Sequence, residues 1–328
     1  MSSRRSLLLA SLTVPALAAP AVAQARPIRL IVPFPPGGAV DLLGRILAER
    51  LGPALGTKVV VENRGGAGGL IGADAVAKGD KDGTVLGLSS VTILCAFPFM
   101  TSRMPFNVRT DLAPVSQITD GALLCVVNAE AARRRGWTDF RALIRWSRAN
   151  PDQVKMGSSG AGTSSHINIE AINRFAEAKI LHVPYRGGGP AINDLLAGNI
   201  DMMFDVMPAL MPHVESGRFL AFAVSSGARL ALLPQVPGMA DFADLGLGQH
   251  SIVTWNAVVA PGGTPAEHIA RTHAALLQVA AQPDFIERLK PLGYGTVTSP
   301  TPDALTALID RETPHWRNLV EISGAKLE

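Results

Sequence analysis

Cysteine is nearly missing from this 328-residue chain, with two in all, and aromatic residues make up only 5%. Two cysteines exclude a disulfide-built scaffold. Charged residues are also sparse at 17%, the formal net charge is +3 and hydrophobic residues reach 47%. A disordered chain is thereby excluded, since it combines little apolar mass with high net charge. Four Trp and two Tyr are too few for an oligosaccharide groove, which stacks sugar rings on such side chains. The sequence has no internal repeat on the scale of roughly 20–50 residues and no collagen-like glycine period. What it does have is backbone punctuation. Its 32 glycines and 24 prolines exceed the ordinary share of roughly one residue in eight, and its length suits one large domain or two ordinary ones.

Arg4 and Arg5 precede an apolar run from Ser6 to Val22, broken by Pro15 and Pro20 and closing on Ala23-Gln24-Ala25. A charged start, a short apolar stretch and small exit residues read as a cleavable signal peptide over residues 1–25. A membrane span would be longer and unbroken by proline. The arginine pair leaves the general secretory (Sec) and twin-arginine (Tat) routes both open. Cleavage removes two arginines and no acid, so the formal charge falls from +3 to +1, and the sequence pI of 9.1 no longer argues for nucleic acid. No cysteine lies at the cleavage point to carry a lipid, so the mature protein is expected to be soluble; it is further expected to be a periplasmic monomer. Arg133-Arg134-Arg135 reads as a solvated helix start. Cys95 and Cys125 each lie in an apolar stretch and read equally as one disulfide or two buried thiols.

Strands and helices alternate. Ile28 to Pro33 is strand-like, Phe34-Pro35-Pro36-Gly37-Gly38-Ala39 a rigid loop, and Leu42, Leu43, Ile46, Leu47 and Leu51 have helical spacing. Lys58 to Glu62, a helix from Leu70 to Lys78, and Val85 to Ser89 continue the pattern. It returns with a helix from Trp137 to Ala149, a strand from Val154 to Gly157, a Gly/Ser loop, and a helix through Phe175 capped by Ser164 or Ser165. Lys179 to Val183, a helix from Pro190 to Leu196, and Ile200 to Asp205 form a further unit. Residues 224–251 are loop-like, Ile252 to Ala260 is a strand, and two helices follow, the second with Pro314 inside. This grammar predicts an α/β fold of two lobes, each a mostly parallel sheet flanked by helices.

Chemistry has three candidate positions. The loop ahead of Val40 fits an anion cradle, because a helix N-terminus has unpaired N–H groups and a partial positive charge, and it fits a tight βα turn equally well. Gly157 to Ser165 offers hydroxyls and free amides at another helix start, without the lysine of a P-loop or the Gly-x-Ser-x-Gly of a hydrolase elbow. Ser158 and His166 make no triad by spacing. Gly66-Ala67-Gly68-Gly69-Leu70-Ile71-Gly72 half matches a dinucleotide fingerprint with its third glycine one place late, so close helix packing is the simpler role. The seven histidines form no zinc pair by spacing, and neither metal nor cofactor is expected.

Several segments together resemble the Bug family, periplasmic solute receptors of tripartite tricarboxylate transporters. They are Pro27 to Gly38, Val59-Val60-Val61-Glu62-Asn63-Arg64, Gly157-Ser158-Ser159-Gly160, His182-Val183-Pro184-Tyr185, Asp201-Met202-Met203-Phe204-Asp205 and Ala260-Pro261-Gly262-Gly263-Thr264-Pro265. The resemblance covers the mature chain in order. It implies a Venus-flytrap, type II-like periplasmic binding protein, with lobe 1 at 26–122 plus 252–328, lobe 2 at 123–251, and hinges near 119–124 and 226–254. It implies that a small organic acid (a mono-, di- or tricarboxylate or an amino acid) is held in the cleft and delivered to membrane permease subunits. The implied binding residues are Phe34, Pro35, Pro36, Gly37, Gly38, Ala39 and Asp41 on one lobe and Ser158, Ser159, Gly162, Thr163, Ser164, Ser165 and His166 on the other, with Tyr185, Asp205 and Trp255 near the cleft. No residue is expected to be catalytic. Three positions depart from the family pattern: Gly65 stands where Pro is usual, Arg186 where Lys is usual, and Ser165-His166 replaces Pro-His. A periplasmic sensor feeding a two-component system would use the same fold, and a periplasmic hydrolase would need a nucleophile that the sequence does not present.

Overall fold

In a computed structural model that describes residues 26–327, the chain forms a mixed α/β structure. The signal peptide expected at residues 1–25 lies outside the described residues. The first half contains β1 (Ile28–Val32), α1 (Ala39–Leu55), β2 (Val59–Asn63), α2 (Leu70–Ala77), β3 (Val85–Ser90), α3 (Phe97–Met100) and β4 (Leu112–Asn128). Next come α4 (Ala129–Arg135), α5 (Phe140–Ala149), β5 (Val154–Ser158), α6 (Ser164–Phe175), β6 (Ile180–Pro184), α7 (Gly188–Ala197) and β7 (Met202–Val206). The chain closes with α8 (Met211–Glu215), β8 (Phe219–Val224), β9 (Val253–Pro261), α9 (Ala266–Ala280), α10 (Pro283–Leu289), β10 (Gly295–Thr296) and α11 (Pro302–Ser323). Among the described residues no helix is long and apolar enough to cross a membrane.

The strands run in the order β2-β1-β3-β9-β4-β7-β5-β6, with β8 and β10 also paired to β4. β4 joins two sheets. Its residues Leu112 to Ala122 pair with β9, and Leu123 to Asn128 pair with β7 and β8. The parallel pairs are β1 with β2 and β3, and β5 with β6 and β7. The parallel pattern thus belongs to the outer part of each lobe, where βαβ crossovers build it. β4 and β9 pair antiparallel in the middle, because both are chain passages between lobes rather than members of a βαβ unit.

Each sheet is packed on both faces. Leu30, Val32, Leu43, Leu47 and Leu51 form the core between the first sheet and α1, as the three- and four-residue spacing of α1 requires. Phe140, Leu143 and Ile144 of α5 meet Met156 and Phe204 on the second sheet. Each such fully buried side chain contributes about 1.5–3 kcal/mol. α11 packs on both halves, with Trp316 and Leu305 in the same cluster as Ile167 and Ala171 of α6. Pro314 is accommodated inside this one helix.

Three local expectations change. Arg133 to Arg135 close α4 instead of opening a helix, and their charge suits the exposed carbonyls of a helix C-terminus. The next helix begins at Phe140, not Trp137, because the Asp139 side chain accepts from the Ala142 N–H at 2.8 Å and caps it there. Thr163, not Ser164 or Ser165, caps α6.

Cys95 and Cys125 are both free and buried, in the cores of different halves. Burial pushes the Cys95 thiol up to about 12 and the Cys125 thiol well above its usual range. Neither thiol should react with a maleimide in the native protein, and both should after denaturation; a disulfide would show instead as a mass gain on reduction. Labelling followed by intact mass measurement distinguishes the two.

Candidate functional site

The site is assembled where strands end and helices begin. β1 ends at Val32, Pro33 to Pro36 stiffen the exit, and Gly37 takes a left-handed turn at φ +87° that other residues resist. α1 then starts at Ala39 with Gly38 as N-cap, and no side chain caps it. On the opposite lobe β5 runs into Ser159 to Gly162, and Gly160 and Gly162 both have positive φ. Thr163 holds this loop, donating to Gly160 O at 2.8 Å and accepting from the His166 N–H. β6 leads through Tyr185 and Arg186 into α7, whose N-cap Gly187 also offers no side-chain cap. Backbone bonds from Tyr185 N to Ser158 O (3.0 Å) and from Gly187 N to Ser159 O (3.1 Å) tie these two loops together.

Between them lies a cavity of about 140 Å³. Its wall combines the Phe34 to Val40 segment, Ser159, Thr163, Ser164, and Arg186 to Pro190 with Asp205, Thr254, Trp255, Asn256 and Tyr294. Most of the rest is apolar, including Val91, Leu123, Ile192 and Val206. The starts of α1, α6 and α7 all reach it, and two of the three lack a side-chain cap. Three helix N-termini, two of them without a side-chain cap, therefore border a cavity whose lining among the described residues holds a single cationic side chain, the exposed Arg186. Such an arrangement suits an anion held by backbone N–H groups.

The rims meet. A Cβ placed on Gly68, which has φ +64°, would lie 2.4 Å from the Ala161 carbonyl oxygen across the cleft. The Pro35 ring lies 3.5 Å from where a Cβ of Gly187 would be. The Gly66 to Gly72 run therefore has two roles. Gly72 packs α2 on Pro33 and Arg64 inside lobe 1, while Gly68 touches the other lobe.

Eleven of the seventeen candidate residues line the cavity: Phe34, Pro35, Pro36, Gly37, Gly38, Ala39, Ser159, Thr163, Ser164, Asp205 and Trp255. The other six, Asp41, Ser158, Gly162, Ser165, His166 and Tyr185, are not on its wall. Asp41 is only 2% exposed and accepts from Gly37 N (2.9 Å), Asn63 Nδ2 (2.8 Å) and Arg45 Nε (3.0 Å). Burial alone would raise its carboxyl, but these donors outweigh it and hold Asp41 below the usual range. It shapes the loop from behind. Ser165 donates to Phe204 O and anchors α6 to β7. Gly162 donates to His166 Nδ1 at 3.1 Å, and the Tyr185 hydroxyl donates to Asp194 at 2.6 Å.

Ser158 is fully buried, and its Oγ pairs with His182 Nε2 at 2.6 Å, not with His166. The spacing is that of a nucleophile and base, yet Ser158 is not on the cavity wall. His182 stacks on His166 at 4.1 Å with ring planes 12° apart. Burial pushes His166 down to about 4, and burial plus the His166 charge pushes His182 down to about 3, so both are neutral at neutral pH. Among the described residues one group of possible metal ligands comes together, His166, Glu170 and His182, within 4.8 Å. The hydrogen bonds already named occupy Nδ1 of His166 and Nε2 of His182, which leaves one nitrogen of each ring beside Glu170.

The sequence predicts a helix from Pro190 but does not place its start, Gly187 to Pro190, among the binding residues, and the structure puts it on the cavity wall. Its triple glycine before a proline suited to a first turn is the signal that could have found it. Thr254, Asn256 and Tyr294 carry no local signal, since only the pairing of β9 and β10 with β4 brings them here.

Replacing Asp41 by alanine should leave the Gly37 N–H and the Arg45 guanidinium without this acceptor and the Asn63 amide with only its bond to Phe34 O. We expect a loss of about 2–3 kcal/mol in unfolding free energy and weaker ligand binding through a loosened loop. The wild-type contribution is present above the unfolded Asp pKa near 3.9 and is lost as pH falls through the lower folded value. Urea melts of wild type and variant at neutral and acidic pH check this; equal stability at neutral pH would refute the buttress.

The chain matches the tripartite tricarboxylate transporter family receptor over residues 43–324. It is 37% identical to Protein BugT of Bordetella pertussis over 316 residues, covering 95% of this chain and 94% of that one. Its fold is similar to that of the periplasmic binding protein BugD (TM-score 0.84, 30% identity, 92% of this chain and 98% of that one). It is also similar to R. palustris Rpa4515 solved with adipate (TM-score 0.83, 27% identity, 91% and 97% covered).

Proposed function

This chain belongs to the tripartite tricarboxylate transporter receptor family, and on that premise we propose that it captures a small organic acid in the periplasm for a membrane permease. The observation that carries the ligand class is the convergence of the α1, α6 and α7 starts on one cavity. A ligand carboxylate takes its hydrogen bonds from first-turn N–H groups, and the apolar remainder of the wall encloses its carbon skeleton. Rpa4515 holding adipate supports this class of ligand.

Capture in this reading is closure. The lobes turn about the two passages of β4 and β9, near residues 119–124 and 226–254, and a bound acid adds contacts available only when both rims engage. Nothing is turned over, and the buried Ser158–His182 bond is structural. The protein is exported as a monomer with residues 1–25 as signal peptide.

Native mass spectrometry of protein purified from the periplasmic fraction tests the reading. A co-purified small acid, displaced by other carboxylates in calorimetric titration, is the expected result. A neutral or cationic ligand in the cleft would overturn it.

A further inference from the structure

Asp205 is the only acidic side chain among the described residues lining the cavity, and the anion-binding account above gives it no task. It sits near the end of β7 and is 9% exposed. Its Oδ1 accepts from the Val206 N–H at 2.8 Å, and the Ser159 hydroxyl also bonds to it. Its Oδ2 lies 2.8 Å from where a Cβ of Gly188 would stand, so the first residue of α7 must be glycine for this carboxyl to keep its place. The other titratable groups of the lining are Arg186, exposed at the mouth, and the buried Tyr294. No ion pair joins Arg186 to Asp205 among the described residues.

Burial pushes Asp205 up to about 6, against the opposing pull of Val206 and Ser159. It is therefore mostly ionised at neutral pH in the empty site. A ligand carboxylate then brings a second negative charge into the same small, largely apolar cavity, and two carboxylates sharing a site do not both stay charged without a cation or donor between them. Resting on the carboxylate reading above, we propose that Asp205 sets the ligand class: the cleft selects an organic acid that also carries a hydrogen-bond donor, an ammonium or a hydroxyl, turned toward Asp205.

The two donor types separate by pH. A plain acid binds only as Asp205 takes up a proton, so its affinity falls by up to tenfold per pH unit above about 6. An amino acid supplies its own cation, so its affinity holds above that pH and drops below it. A hydroxy acid donates to the ionised carboxylate and changes least.

Calorimetry on the purified protein with matched sets, succinate, malate and aspartate beside propionate, lactate and alanine and adipate with its hydroxy and amino forms, reads this directly. At about pH 8 the best donor-bearing acid should bind at least about 30-fold more tightly than its plain partner, since a site built to bond a donor rejects analogues lacking it. The gap should narrow at about pH 5, and in Asp205→Asn it should shrink to about threefold at both. Heats in buffers of different ionisation enthalpy give a second readout on wild type, independent of whether the variant folds. Uptake of about one proton is expected with a plain acid and none with an amino acid. Plain acids preferred at pH 8, or an Asn variant keeping the full gap, would overturn the assignment while leaving the carboxylate reading intact. Binding of uncharged compounds alone would remove that reading, and this inference with it.

Discussion

Gly68→Val should lose ligand affinity by roughly 150-fold while its secondary structure and cooperative unfolding survive. The reason lies across the cleft. The Cβ of any residue at this position would stand 2.4 Å from the Ala161 carbonyl oxygen, far inside van der Waals contact, and a carbonyl fixed in a loop cannot swing aside like a side-chain tip. The rims must separate to admit it. A closure penalty of about 3 kcal/mol lowers apparent affinity by that factor, because only the closed state binds fully. The left-handed φ of +64° adds about 1–2 kcal/mol of backbone strain in any non-glycine residue, which lowers the melting temperature without touching the cavity. Gly72→Ala is the contrasting case. Its Cβ would strike Pro33 and Arg64 within lobe 1, so the loss should appear as stability and not as affinity at saturating fold. Calorimetry gives the affinities, and small-angle scattering with ligand should show Gly68→Val more open than wild type. A Gly68→Val protein that binds and compacts like wild type would mean that the rims need not touch.

The sequence made the lobes legible because their outer parts obey local rules. α1 carries its apolar side chains at helical spacing, and β1 and β2 are short runs rich in β-branched residues, the first ended by Pro33 and the second followed closely by Gly65. The loops after β1 and β5 were legible for the same reason, since glycine next to a helix start has a local meaning. The strand β4 was not. Leu112 to Ala122 mixes Pro114, Ser116, Gln117, Thr119, Asp120 and Gly121 with apolar residues, and its pairing with β9 shifts register twice. Alternation is lost where register shifts, so a period-two pattern cannot show. Tyr294 reaches the cavity through the pairing of β10 with β4, a contact no window of neighbouring residues contains. Asp41 and Asp205 illustrate the remaining limit. Both are acids beside glycine-rich helix starts, yet one is buttressed by three donors behind the wall and the other lines the cavity. Only the fold decides which way each faces.

Gly38→Asp should abolish binding while leaving the fold as stable as before, and that pairing of outcomes separates a bare helix terminus from a merely tight turn. Gly38 is the N-cap of α1, with extended dihedrals of φ −82° and ψ 168° that any residue adopts. A Cβ there would have as its nearest neighbour the Pro35 carbonyl oxygen at 3.9 Å, so the side chain fits. Gly37 is a poorer probe, because its φ of +87° and its bond to Asp41 would confound backbone strain with charge. An N-cap aspartate accepts from the N–H groups two or three residues on, which is worth a few tenths of a kcal/mol over glycine. Repulsion from Asp41 in the same turn offsets part of this, so the melting temperature should hardly move. The new carboxylate occupies the donors the ligand needs and brings like charge to it. At about 4 Å and an effective dielectric near 20 that repulsion alone is about 4 kcal/mol, roughly a thousandfold in affinity. Gly38→Asn takes the same donors without the charge and should lose only about tenfold. If the aspartate variant binds its acid as tightly as wild type, the anion is not held at α1; if it binds weakly but also unfolds early, the loop was structural.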